Sequence, residues 1–325
     1  MDIKFSLPKY CSLESMKSEM DGSWVKLPEK IEFYLIFEFA QPWERKIELS
    51  SHFASDLREY FKQLKENGTK FKYLCVKPDE SKDSSNQIRV LYYYGNPHEY
   101  VEYLKLEVLV PLSMLTKTVK ALVDGDKVIY NSYIVPNKVN RDIFVCTHNS
   151  RDQCCGIFGI HIFKKFKELI LSDDKVRIWQ SSHMGGHRFG PTMLDMPSGK
   201  FWGYLNTDVI ESIFTQNQDP KSIIKHFRGS MGLDRYSQIL DKKLFEELGW
   251  EWYYCKKKSE IIEKRESKIR VKIIFKTSNN LGVYFGEIRK IGTVELPETQ
   301  CAKGTSIKKF EVTDVVYQPF FDTGS

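Results

Sequence analysis

The sequence predicts an α/β fold made of two similar units and a small β-rich C-terminal extension. Three observations lead there. Strand and helix patterns alternate, and their order repeats at an offset of roughly 105 residues along the chain. Apolar residues make up 41% and charged residues 28% of 325, enough to pack two or three ordinary domains and too apolar for wholesale disorder. Beyond about residue 246 the apolar positions change from helical spacing to alternation. The divisions expected are 1–135, 136–245 and 246–325.

The first unit starts with EFYLIFEFA (32–40), a buried strand. Ser50 and Ser51 offer an N-cap, and Phe53, Leu57, Tyr60, Phe61 and Leu64 follow at helical spacing as far as Asn67-Gly68. KFKYLCVK (70–77), QIRVLYYYG (87–95) and YLKLEVLV (103–110) read as strands, and SMLTKTVKAL (113–122) as a helix. The second unit repeats the order. DIFVCTH (142–148) is a strand, GIFGIHIFKKFKELIL (156–171) a helix, and KVRIWQSS (175–182) a strand. PTMLDM (191–196) and KFWGYL (200–205) form a hairpin, and DVIESIFTQN (208–217) closes the unit as a helix. A βαβ crossover, a hairpin and a closing helix make the thioredoxin-like layout. Residues 221–247 are helical in tendency, and KIRVKIIFKT, LGVYFGEIRKI and KKFEVTDVVY alternate like antiparallel strands.

Composition excludes several function classes. Net charge is +6, from 49 basic and 43 acidic residues, short of a nucleic-acid footprint. The densest basic run, Lys256 to Lys258, is followed at once by Glu260, Glu263 and Glu266 and reads as a solvated face. No apolar stretch approaches a membrane span, and MDIKFSLPKY lacks a signal-peptide core, so no membrane association and a cytoplasmic location are expected. Seven cysteines, an odd number, at 11, 75, 146, 154, 155, 255 and 301, argue against a disulfide framework.

Chemistry concentrates in FVCTHNSRDQCCGIFG and the later SSHMGGHRF. Cys146 closes a strand, and Cys154 and Cys155 sit at the start of a helix, where the helix dipole favours thiolate. His183 and His187 flank Met-Gly-Gly, a sequence that suits a tight loop aiming both rings at one point. Neighbouring parallel strands end at the same sheet edge, so the cysteines and histidines should converge. Such a set suits zinc or a [2Fe–2S] cluster. Spacing alone leaves Cys154 and Cys155 both open as the ligand.

The pattern C-x8-C, 27 residues, then H-x-G-G-H resembles the sucrase/ferredoxin-like family, the thioredoxin-like ferredoxins. RFGPTML, PSGKFWGYL, HFRGSMGLDRYSQ (226–238), CSLES (11–15) and FEFAQPW, ending at Trp43, are similar to that family as well. The resemblance implies a [2Fe–2S] cluster held by Cys146, Cys155, His183 and His187, with the histidines on the iron that takes the electron. The second unit is thus expected to be a thioredoxin-like ferredoxin domain, and the first, which repeats its order but offers no second cluster of ligands, a degenerate copy that binds no metal. The function expected is one-electron transfer to or from a redox partner protein, with proton uptake on reduction. An electron carrier is expected in preference to an enzyme, and both catalysis by the chain itself and a homodimer are left open.

Two other readings compete. One is a structural Cys2His2 zinc site, against which C-x8-C is longer than usual zinc spacing. The other is a thiol oxidoreductase using Cys154 and Cys155, although adjacent cysteines replace C-x-x-C poorly. Cys75 ends a strand near the place that His183 takes in the second unit. Cys11, Cys255 and Cys301 read as small buried residues. His52, His98 and His161 read as structural, His148 as a loop residue within reach of a cluster sulfur, and Arg151, Arg188 and Arg228 as cations beside an anionic centre.

Overall fold

The computed structural model of the chain describes Ser12 and residues 29–78, 86–95, 100, 102–136, 139–151, 153–170, 174–278, 280–296, 298 and 303–320. The first half comprises β1 (Phe33–Glu38), α1 (Ser55–Glu66), β2 (Phe71–Val76), β3 (Gln87–Gly95), β4 (Tyr103–Pro111), α2 (Leu115–Asp124) and the short α3 (Lys127–Tyr130). The second comprises β5 (Arg141–Cys146), α4 (Gln153–Leu169), β6 (Val176–Ser181), β7 (Met193–Met196), β8 (Lys200–Trp202), α5 (Thr207–Thr215), β9 (Phe227–Ser230), α6 (Arg235–Leu248) and α7 (Trp250–Tyr254). Strands β10 (Lys256–Lys264), β11 (Lys268–Lys276), β12 (Leu281–Leu296) and β13 (Thr305–Pro319) form a separate antiparallel sheet.

The first nine strands form one sheet in the order β4-β3-β1-β2-β6-β5-β7-β8-β9. Each half has the same pairing. β1 runs parallel to β2 and antiparallel to β3, which pairs with β4. β5 runs parallel to β6 and antiparallel to β7, which pairs with β8. The halves meet at one antiparallel pair, Val76 with Ser181.

Alternation along the strands sorts the core. Phe33, Leu35 and Phe37 face α1 and α2, while Tyr34 and Ile36 face the other half. Ile143 and Val145 face the helices and C-terminal sheet, while Phe144 and Cys146 join the shared core. The two half-sheets therefore pack face to face, with apolar side chains on both sides of β1, β2, β3, β5 and β7. That double burial is why these segments read as unbroken apolar runs.

A buried ionic network crosses the same seam. Asp142 on β5 accepts from Tyr93 Oη at 2.5 Å, Lys105 Nζ at 2.5 Å, Arg177 Nε at 2.7 Å and Trp179 Nε1 at 2.8 Å. Burial opposes its charge, but Arg177 and Lys105 hold its carboxyl below the usual range.

The structure departs from the sequence expectations in three places. Helix α1 starts at Ser55 and not after Ser51, because Ile47–Leu49 forms a 3-10 turn and Ser50 Oγ is occupied by the Glu44 N–H at 3.1 Å. Phe227–Ser230, inside a stretch of helical tendency, is strand β9, drawn out by pairing with β8. Lys256–Lys258 opens β10, a strand the alternation had not singled out. There Lys256 and Lys258 face solvent, but Lys257 turns inward and pairs with Asp241 at 2.9 Å. The solvated face was wrong for that middle lysine.

Candidate metal centre

Cys146 is the last residue of β5, Cys155 lies in the first turn of α4, and His183 follows β6 by two residues. Cys146 Sγ lies 3.8 Å and Cys155 Sγ 3.9 Å from His183 Nδ1. All three donor atoms lie within 4.8 Å of one another. Both cysteines are fully buried, and His183 is half-buried. Cys154 is buried too but stands outside this group, as a neighbour turned about 100° around the helix must. His187 opens a 3-10 turn, and its side chain lies outside the described residues. Gly185 and Gly186 between the histidines have φ of +104° and +68°, values that glycine adopts without strain.

The cysteines are brought together by close packing of α4 on β5. A Cβ on Gly159 would overlap the Cys146 carbonyl oxygen, so only glycine lets the helix come this near. The electrostatics favour a thiolate at Cys146. Burial pushes that thiol up, but hydrogen bonding with Cys155 and His183 and the charge of His183 outweigh it and draw it well below its ordinary value.

The first half covers the centre. Lys72 Nζ on β2 donates to the Met184 carbonyl at 2.7 Å, inside the loop between the histidines. The His183 N–H donates to His148 Nδ1 at 3.1 Å, and His148 Nε2 faces the Trp43 carbonyl at 3.4 Å. Ser150 Oγ donates to the same carbonyl at 2.7 Å. The Cys75 N–H donates to Ser182 Oγ at 2.9 Å. His148 is thus a buried support of the His183 backbone, held in turn by the first half. The resemblance of FEFAQPW pointed at Trp43, but nothing in the sequence singled out Lys72.

Register places the remaining residues. Glu38 pairs with Val76 as Cys146 pairs with Ser181, so Glu38 and Pro78 stand where the second half has Cys146 and His183. Cys75 is level with Gln180, three residues short of the His183 position, and burial pushes its thiol up. Arg188 donates to the Lys303 carbonyl at 2.7 Å, the Arg228 guanidinium lies 3.5 Å from the Phe189 ring centroid, and Arg151 is exposed. Cys255 is half-buried with its thiol directed at the Glu251 carbonyl, His52 stacks on Phe39, and His161 is exposed. Cys11, His98 and Cys301 lie outside the described residues.

The sucrase/ferredoxin-like family matches over residues 26–229, well over half of the chain. The chain belongs to that family. Two solved structures of the thioredoxin-like [2Fe-2S] ferredoxin from Aquifex aeolicus, one of them a cysteine-to-serine variant, are similar to this family member at 19% identity. Each covers 24% of the chain, with 80% and 90% of its own length and TM-scores of 0.22 and 0.21. A likeness so slight decides nothing about chemistry. No curated protein matches the chain.

Proposed function

We propose that this sucrase/ferredoxin-like protein is a one-electron carrier that holds a [2Fe–2S] cluster through Cys146, Cys155, His183 and His187. The observation that carries the reading is the convergence of two buried sulfurs and one imidazole nitrogen within 4.8 Å. The donor set fits the group: two thiols, one drawn toward thiolate, and an imidazole, with no carboxylate among them. When bound, the cluster supplies reversible one-electron chemistry. His183 presents Nδ1 to the sulfurs, which leaves Nε2 to hold an exchangeable proton. His148 and Lys72 fix the backbone on either side of that ring, and the apolar seam excludes water from the sulfurs. The first half acts as a copy that has given up metal binding and serves as a cover, since Glu38 and Pro78 replace two donors there.

The test is iron and acid-labile sulfide per chain, visible absorbance, and a redox titration at several pH values. Two irons and two sulfides, with a potential falling by up to ~59 mV per pH unit over part of the range, are expected. A colourless protein with one zinc per chain would overturn the reading.

A further inference from the structure

A second polar cluster lies toward the opposite end of β5 and β7 from Cys146. Lys200 on β8 and Lys257 on β10 are 5% and 3% exposed, and between them lies Asp241 of α6, fully buried. Lys257 Nζ donates to Asp241 Oδ1 at 2.9 Å, Ser230 Oγ to Asp241 Oδ2 at 2.7 Å, and Lys200 Nζ to Ser230 Oγ at 2.8 Å. Trp252 Nε1 also donates to Asp241 Oδ1, at 2.9 Å. Both carboxylate oxygens are therefore engaged, and the single negative charge balances one lysine and not two.

The other acids nearby are already engaged. Asp195 on β7 takes both its bonds from Arg141, at 2.9 and 2.7 Å, and Glu102 pairs with exposed Lys256 at 3.8 Å. The remaining titratable groups around Lys200 are Tyr253, Tyr254 and Cys255. Burial raises all three above their ordinary values, so they bring no negative charge at neutral pH. Among the described residues, one buried positive charge is left over whenever Lys200 is protonated, an arrangement that costs several kcal/mol. Burial and the Lys257 charge accordingly push the Lys200 amine down to about 7.

A cavity of ≈ 160 Å³ opens beside both amines, lined by Lys200, Lys257, Ser198, Ser230, Leu233 and Tyr253, with the Glu102–Lys256 pair also in its wall. We propose that this cavity binds a small carboxylate, whose charge completes the Lys200–Asp241–Lys257 cluster. The class follows from the site. The surplus is a single charge, which a monoanion cancels and a dianion overshoots. Leu233 and the Tyr253 ring give a short alkyl chain an apolar wall. The volume is well below that of drug-sized pockets, so a nucleotide is excluded. Binding stabilises the ammonium form of Lys200, so at a pH above 7 the complex takes up a proton from solvent.

The site is independent of the metal centre, and its test does not need the cluster. The full chain is titrated calorimetrically with sodium propionate, sodium phosphate and, as a control at matched ionic strength, sodium chloride. Runs at pH 8 in two buffers of different ionisation enthalpy count protons. Propionate should saturate one site with net proton uptake at pH 8, falling toward none at pH 6, where Lys200 is already charged. Lys200→Met should weaken binding at least tenfold, and so should Lys257→Met, which lets Asp241 serve Lys200 alone. Ser198→Tyr, which fills the cavity and leaves every charge in place, should also abolish binding and guards against a lysine variant that misfolds. No saturable propionate binding, a preference for phosphate, or unchanged affinity in the variants would overturn the proposal.

Discussion

Replacing Gly159 with alanine sets two effects of opposite sign against each other at the metal centre. Alanine in place of a mid-helix glycine stabilises a helix by about 1 kcal/mol. The new methyl group, however, would overlap the carbonyl oxygen of Cys146, a backbone atom with no rotamer to escape into. Overpacking of that kind costs roughly 1–3 kcal/mol, so the clash outweighs the propensity gain. The net loss is about 0–2 kcal/mol, a fall of at most a few degrees in Tm for a chain of this size. The larger effect is on the ligands. Relief of the overlap moves α4, and Cys155 with it, away from β5 by about 1 Å, against a tolerance of ~0.2 Å in metal–ligand distances. Gly159→Ala should therefore lose more than half of its iron while remaining folded. The assay is iron and sulfide per chain beside thermal unfolding by circular dichroism, with exposed Ile160→Ala as control. A Gly159→Ala protein with raised Tm and full iron content would refute the reasoning.

Cys146→Ser and Cys155→Ser should each abolish iron retention while Cys154→Ser keeps it, read as iron per chain; loss in the Cys154 variant alone would reverse the assignment. Lys72→Met leaves the buried Met184 carbonyl without its ammonium donor and should cost about 1–3 kcal/mol in denaturant unfolding. The same variant should lower the reduction potential, because a cation beside the centre is lost. His226 is buried, and that environment, with nearby Lys225, pulls its imidazole down to about 4. The unfolded chain binds that proton near pH 6.5 and the folded one only near 4, so stability should fall as pH drops through this window. The loss approaches about 3 kcal/mol at its lower end and is absent in His226→Gln, as urea melts at pH 7, 5.5 and 4 would show. Residues 136–245 expressed alone should lose iron faster than the full chain under a chelator, since Lys72, Trp43 and the facing sheet are gone.

The elements that were legible in the sequence are those whose pattern is local. β1, α1, β5 and α4 announce themselves through apolar runs and helical stripes, and the repeat of their order foretold the matching pairings of the two halves. Cys146 and His183 were legible because strand ends fix where they must go, whereas the helix start left Cys154 and Cys155 both open and only the family resemblance favoured Cys155. What was hidden depends on partners far along the chain. Phe227–Ser230 has no strand signal of its own and becomes β9 only by pairing with β8. Lys257 is one of three adjacent lysines, and what distinguishes it is Asp241, 16 residues away. Lys72 looks like any strand lysine until the half-sheets close and bring Met184, 112 residues on, within reach. The face-to-face packing was out of reach for the same reason. It depends on a short edge pairing around Val76 and Ser181, on the Asp142 network, and on which of two apolar faces each strand turns inward.

The position of the two sulfurs in the seam also sets an order of events during biosynthesis. The first half precedes Cys146 in the chain and is therefore synthesised first. Once β5, α4 and β6 dock onto it, Cys146 and Cys155 are sealed, and His183 alone of the three described donors keeps some exposure. On the proposed function, iron and sulfide would then have to reach a half-docked chain or pass in from the side of the Met184-Gly185-Gly186 loop. A cluster held there would tie maturation to the closing of the two halves, and a chain that closed empty would be a trapped product.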